Sequence, residues 1–434
     1  MYGSRTLLIL LLVLSPLLGA QEEEFSFDVE EFEPKVFEFT GYLEGEPEFA
    51  LANRDGALYQ LQFFDRNPDK YLNRFTGTLE LEGHLRKGIA SVNVQTHSEA
   101  VWDYLGDDYD HALYQGYLSL QPAPGFAVDL GKKAMRWGKG YAWNPVAFVE
   151  RAKDAGDPDL SREGYTIFAA DWINSFDGPL QTLALTPLIL PTGGDLNNDF
   201  GESGHTNLAA KLYLLYRDID LDFMFLSDGS RNARYGMDFS KNLAPNFEIH
   251  GELAYFDDAV HPTVTADCKP GTPRVKDEIS YLMGTRYRTS HDVTLIWEYY
   301  FNGLGNEKKD QKQFYRCVHQ AWETGDQDLI DRLPRGQEQD LDKGPFTKPN
   351  PMRRYMNFRV WWEEPRNLLY VTPGLQLLYN LDDRSFSASP DISYIGYEKL
   401  ILRLRATVPV GDSLTEWGEK PNKYKIELRA RYYF

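Results

Sequence analysis

Charged residues recur at every second position in several otherwise apolar runs. Near the C-terminus Arg403 and Arg405 alternate with Leu402, Leu404 and Ala406, and Glu427, Arg429 and Arg431 alternate with Ile426, Leu428, Ala430 and Tyr432. Arg286 and Arg288 are spaced against Met283 and Tyr287, and Arg359 against Phe358 and Val360. Acids follow the same rule: Glu80 and Glu82 between leucines, Asp220 and Asp222 beside Leu221 and Phe223, Glu248 and Glu252 beside Ile249 and Leu253. On an extended chain this period puts every charge of a run on one face and every apolar residue on the other. Fixed charges on a wall can order water and select solutes by sign, or simply close ion pairs that stiffen the wall.

A second cluster is the stretch Gly131-Lys132-Lys133-Ala134-Met135-Arg136-Trp137-Gly138-Lys139-Gly140, followed by Tyr141, Trp143 and Arg151 and then by Asp154, Asp157 and Asp159. Bases followed by acids on one long connection could face each other across a narrow passage. Two cysteines, Cys268 and Cys317, fall in two long connections, and an oxidising exported compartment would pair them. Catalytic and cofactor signatures are missing: there is no phosphate loop, Gly-x-Ser-x-Gly, His-Glu-x-x-His or haem-attachment Cys-x-x-Cys-His. No enzyme activity, cofactor or metal is expected. The formal net charge of −19 speaks against a nucleic-acid partner.

The elements that would carry these residues are short and numerous. Met1–Ala20 reads as a cleaved signal peptide: Arg5, an apolar run too short to cross a bilayer, then Leu18-Gly19-Ala20. No Cys follows that would direct lipid attachment, and no later stretch is long and apolar enough for a membrane helix. Residues 21–56 are rich in Glu and Asp and read as an acidic lead segment. From Ala57 on, the chain divides into strand-length segments, 18 in the favoured count and 16 in the alternative. The first, 57–65, is weak, and Phe37–Glu44 could also be a strand. Tight turns such as Arg86-Lys87, Arg217-Asp218 and Ser290-His291 alternate with long connections at 99–109, 136–165, 191–204, 257–276 and 303–352. Within the last, Gln313–Leu333 has helical apolar spacing.

Short turns on one side, long loops on the other and a C-terminal strand ending on Phe434 together resemble the porin-like bacterial outer-membrane β-barrels. The Gly-Lys-x-x-x-x-Trp-Gly strand end at 131–138 is similar to one found in such families. The resemblance implies an all-β antiparallel transmembrane barrel over 57–434, in the outer membrane of a Gram-negative cell. It implies recognition of Phe434 by the barrel-insertion machinery, and it makes a homotrimer plausible. It also implies that 136–165, the third external loop, folds inward and narrows the pore. Lys132, Lys133, Arg136, Trp137, Lys139, Arg151 and Asp154 are then the candidate constriction residues. The alternating charges are the candidate lumen lining, with an arginine wall facing an acidic one and Glu80 and Glu82 breaking the pattern. The expected function is passive diffusion of small polar or charged solutes. The alternatives are a sheath around a multihaem cytochrome partner, conducting electrons, and a polysaccharide export channel.

Overall fold

The computed structural model describes residues 36–334 and 344–434. The expected signal peptide lies outside the described residues, as does most of the acidic segment.

Eighteen strands follow one another in the chain. They are β1 (Phe37–Ala52), β2 (Tyr71–Lys87), β3 (Ala90–Asp103), β4 (Gly106–Ala123), β5 (Phe126–Lys133) and β6 (Tyr165–Ser175). Next come β7 (Leu180–Pro191), β8 (Thr206–Tyr216), β9 (Ile219–Leu226), β10 (Arg234–Ala244), β11 (Phe247–His261) and β12 (Arg274–Arg288). The last are β13 (Val293–Phe301), β14 (Arg354–Trp362), β15 (Val371–Asn380), β16 (Ser385–Tyr397), β17 (Leu400–Val410) and β18 (Asn422–Tyr433). Each pairs antiparallel with its sequence neighbours. The ring closes where β1 pairs with both β2 and β18, so Tyr42 lies between Glu80 and Tyr433. A closed ring leaves no unpaired edge, which is what a sheet in hydrocarbon requires.

The first strand corrects the sequence reading. Residues 57–65 do not form one: Ala57–Gln62 is a short helix, α1, and the barrel begins at Phe37, inside the segment assigned to the acidic lead. The apolar residues of 57–63 fit period two, but Tyr59 and Phe63 also satisfy a helical i, i+4 spacing, and their rings meet at 4.7 Å. The count remains 18 because one strand replaces another. The connection expected at 99–109 shrinks to residues 104–105, since β3 and β4 continue as a long hairpin.

At one end the connections are tight. Arg217 and Asp218 have φ of 51° and 58°, the left-handed pair of a two-residue hairpin turn. At the other end lie 53–70, 134–164, 262–273, 302–353 and 411–421. Both ends of the barrel chain emerge on the tight-turn side; the opposite side, with the long loops, is called external after the usual arrangement of bacterial barrels.

Outward faces are apolar and bare. Leu404, Leu428 and Phe434 are 47%, 46% and 43% exposed, while Arg405, next to Leu404, is 9% exposed. A continuous belt of this kind is stable against lipid and not against water. No helix among the described residues is long and apolar enough to cross a membrane. Phe434 seals the seam: its ring lies 6.4 Å from that of Phe39, and its N–H donates to the Gly41 carbonyl at 3.1 Å.

The external loops build a cap with its own apolar core. Its helices are α1, α2 (Lys308–Thr324) and α3 (Gln327–Arg332). The helical spacing at 313–333 is therefore real but broken at Gly325, whose φ of 65° ends α2, and Asp326 caps α3 by accepting from the Leu329 N–H at 3.0 Å. Phe314, Cys317, Val318 and Ala321 of α2 are fully buried against Leu61, Ile330 and Phe346. A disulfide joins Cys317 to Cys268 of the 262–273 loop.

Candidate pore constriction

The loop between β5 and β6 runs inside the barrel. Its first half packs on the wall. Trp137, Val146, Phe148 and Val149 are buried against inward-facing Ile167, Leu190, Leu226 and Phe256. Those wall residues are apolar because the loop, not water, covers them. Trp137 is 2% exposed, so it belongs to this inner core and not to a membrane interface.

Polar anchors then hold the backbone. Oε1 of Glu252 on β11 accepts from the N–H of Lys139 at 2.7 Å, the N–H of Gly140 at 2.6 Å and Nδ2 of Asn144 at 3.0 Å, and Oε2 accepts from the N–H of Val146 at 3.3 Å. Glu298 on β13 accepts from the N–H groups of Tyr141 at 2.5 Å and Ala142 at 2.9 Å. Lys139 reaches Asp222 on β9 at 3.0 Å. Two wall carboxylates thus receive loop amides that would otherwise be buried unpaired. Two of the three glycines of the sequence motif are explained here. Gly138 has φ of 95°, and a Cβ on it would come 2.7 Å from Glu252 Oε1. A Cβ on Gly140 would strike the Trp143 carbonyl at 2.0 Å.

The second half crosses the lumen. Gln376 Nε2 on β15 donates to the Ala155 carbonyl at 2.7 Å, and Arg405 on β17 donates to that of Gly156 at 2.7 Å. Asp157 is held by Arg403 on β17 at 3.3 Å and by Arg429 on β18 at 2.8 Å. Arg359 on β14 lies 3.6 Å from Asp159, and Ser161 donates to Glu80 on β2 at 3.1 Å. The loop therefore touches the wall from β9 round to β2.

Two cavities of about 500 Å³ each remain beside it, and Asp157, Leu160, Arg429 and Arg431 border both. The external one also meets Glu44, Glu46, Glu48, Asp154 and Lys425. The other lies toward the tight turns and meets Arg286, Arg359, Arg403 and Asp391. The carboxylate of Asp157, with the two guanidiniums that hold it, stands at their junction.

The expected residues are brought together unevenly. Arg359, Arg403, Arg405, Arg429 and Arg431 line the lumen, and Arg286 reaches the Tyr141 hydroxyl at 3.5 Å. Arg288 does not line the passage: it sits at the rim, paired with Asp292 at 3.0 Å and Glu363 at 2.9 Å. Asp222 and Glu252 are sealed under the loop, 2% and 4% exposed. Asp220 takes the Tyr213 hydroxyl at 2.5 Å, and Glu248 lies 3.4 Å from His250. Glu80 is buried among Tyr42, Gln95, His97 and Ser161, whereas Glu82 stays exposed. Lys132 pairs with Glu163, and Lys133 with Asp129. Arg151 pairs with Glu163 and Asp199 and covers the Tyr165 ring at 4.5 Å, so these three brace the base of the loop. Arg136 borders a smaller cavity of about 340 Å³ with Gln95 and Gln115.

The arginine side is not a purely basic wall. Glu46 holds Arg429 at 2.5 Å, Glu44 holds Arg431 at 2.6 Å, Glu48 holds Lys425 at 3.2 Å, and Asp391 holds Arg403 at 3.2 Å. Sequence reasoning misses these three glutamates because they follow directly on an acidic stretch. Their signal was present, as Glu44, Glu46 and Glu48 alternate just as the other lumen charges do. Asp157 was seen only as one of three loop acids.

No protein-family profile and no curated protein matches the chain in sequence. Solved structures do match in shape. OccAB1 of Acinetobacter baumannii superposes with a TM-score of 0.52 at 11% identity, over 91% of this chain and 96% of that one. OccK11 (OpdR) of Pseudomonas aeruginosa gives 0.51 at 10% identity, over 91% and 95%. Both are bacterial outer-membrane porins. The fold of this chain is a porin fold.

Proposed function

We propose that the protein is a passive outer-membrane channel for small polar or charged solutes, narrowed by its third external loop. The observation that carries this is the course of 134–164: its first half is fastened to Glu252 and Glu298, and its second half spans to Arg403 and Arg429 through Asp157. Solutes would pass from the external cavity to the inner one beside Asp157, Arg429 and Arg431, where side chains of both signs replace part of a solute's hydration. Paired charges at this point favour small hydrated solutes over apolar ones. The loop fills much of the interior and argues against the sheath reading, which needs a wide bore for a haem protein, and equally against export of a polysaccharide chain. Planar-bilayer recording of the purified protein tests the proposal. Stable ohmic steps are expected. A silent protein that conducts only with an added multihaem cytochrome would overturn it.

A further inference from the structure

A groove on the outside of the barrel has the chemistry of a lipid-headgroup site. Phe301 of β13 and Arg354 of β14 are register partners. Both face away from the lumen, because their chain neighbours Tyr300 and Tyr355 point inward and pack on Trp143 at 5.2 and 5.8 Å. Below them, on the lipid side, the Tyr281 ring lies 5.3 Å from that of Phe301 and 5.9 Å from that of Tyr299. Above this aromatic row opens a cavity of about 280 Å³ bordered by Phe301, Glu307, Lys308, Arg353, Arg354 and Asp382.

The charges around it are unbalanced. Asp382 engages Arg354 through Nε alone, at 2.6 Å. Glu278 holds Lys276 at 2.7 Å and Arg353 at 2.6 Å, and Glu307 holds Lys309 at 2.9 Å and Arg274 at 3.4 Å. Asp310 takes the other end of Arg274. Lys308 is exposed and has no ion-pair partner among the described residues. Three bases, Lys308, Arg353 and Arg354, border the cavity against two acids, Glu307 and Asp382, a local excess of positive charge on a chain whose net charge is −19. It sits at the external edge of the apolar belt, directly over aromatic rings. Aromatic side chains settle at the headgroup level of a bilayer, and cations just beyond them attract anionic headgroups. The unengaged end of a guanidinium matches a phosphate better than it does a neutral headgroup.

We propose that this groove binds the phosphate-bearing headgroup of an outer-leaflet lipid, with Arg354 and Lys308 as its main contacts. The proposal rests on the outer-membrane placement and external orientation of the long loops, and not on solute passage through the lumen.

The test is native mass spectrometry of the purified full-length barrel, titrated with bis-phosphorylated lipid A or with its dephosphorylated counterpart. Wild type is expected to retain one phosphorylated lipid. Lys308→Glu should weaken retention, and Lys308→Glu with Arg354→Gln should lower it about tenfold, the scale of one or two lost charge contacts. Lys308→Glu breaks no ion pair among the described residues, so it serves as the variant in which the fold is not at stake. Unchanged single-channel conductance would show that the variants remain folded and would separate this proposal from the channel reading. Equal retention by wild type and both variants, or equal retention of the dephosphorylated lipid, would overturn it. Displacement of the lipid by an equimolar amount of inorganic phosphate would also overturn it, by making free phosphate the ligand.

Discussion

Removing the carboxylate of Glu252 should release the first half of the pore loop. In Glu252→Ala four donors lose their acceptor: the N–H groups of Lys139, Gly140 and Val146 and the amide of Asn144. Each buried donor left unpaired costs about 1–3 kcal/mol. Part is returned, because the variant no longer buries a carboxylate that is 4% exposed, and such burial carries a penalty of several kcal/mol before its bonds form. A net loss of about 4 kcal/mol shifts the docked-to-released ratio of this segment about a thousandfold. Amide hydrogen exchange over 138–146 should accelerate by up to that factor, while exchange in the strands stays as it was. Single-channel recordings should show a noisier and larger conductance. Glu252→Gln keeps one oxygen and the shape of the side chain, so its effect should be smaller. Trp137, Val146 and Phe148 still pack on the wall and Glu298 still holds Tyr141 and Ala142, so the loop is loosened and not expelled. A folded Glu252→Ala barrel with unchanged exchange over 138–146 would refute the claim that this carboxylate anchors the loop.

Three further outcomes are expected. Gly138→Val puts a branched side chain at a φ of 95° against Glu252 and should speed exchange in the same segment, with a smaller effect for Gly138→Ala. Arg403→Glu combined with Arg429→Glu replaces both partners of Asp157 with acids, so the reversal potential in a salt gradient should move toward cation selectivity, and an unmoved potential would remove these residues from the passage. In the cap, burial alone would raise the Glu419 carboxyl, but His319 and the N–H groups of Leu414 and Ala57 outweigh it and hold the carboxyl below its usual value of 4.5. A depressed carboxylate stabilises the fold fully above that value and loses its contribution as pH falls through the lower folded value. Exchange around Ala57 and Leu414 should therefore quicken as pH falls below about 4.5.

The sequence carried the barrel because its signals are local. Alternation in β17 and β18 fixes which side chains meet lipid, and a slip of one residue would place Arg403 and Arg429 in hydrocarbon. The tight turn at Arg217-Asp218 and the bare apolar face ending on Phe434 are legible for the same reason. Where the local signal was ambiguous, the reading went astray. Residues 57–63 satisfy both period two and an i, i+4 spacing, and only their packing under α2 in the cap selects the helix. Glu44, Glu46 and Glu48 alternate correctly but follow an acidic stretch, and pairing with β2 and β18 is what makes them lumenal.

The site itself was legible in kind and not in partnership. Alternation says that Arg429 faces inward, but not that it meets Glu46 and Asp157, which are 383 and 272 residues away in the chain. The motif at 131–140 announces a special backbone, but that Gly138 is glycine because Glu252 approaches it is a fact about two distant strands. What the sequence determined alone is the all-β alternation and the side of most strands that faces lipid; the inward course of the third loop came from resemblance to porins. What tertiary structure decided is which charges remain free to meet a solute. Face is a property of one strand, while an ion pair depends on register around a closed ring and on a loop that crosses it.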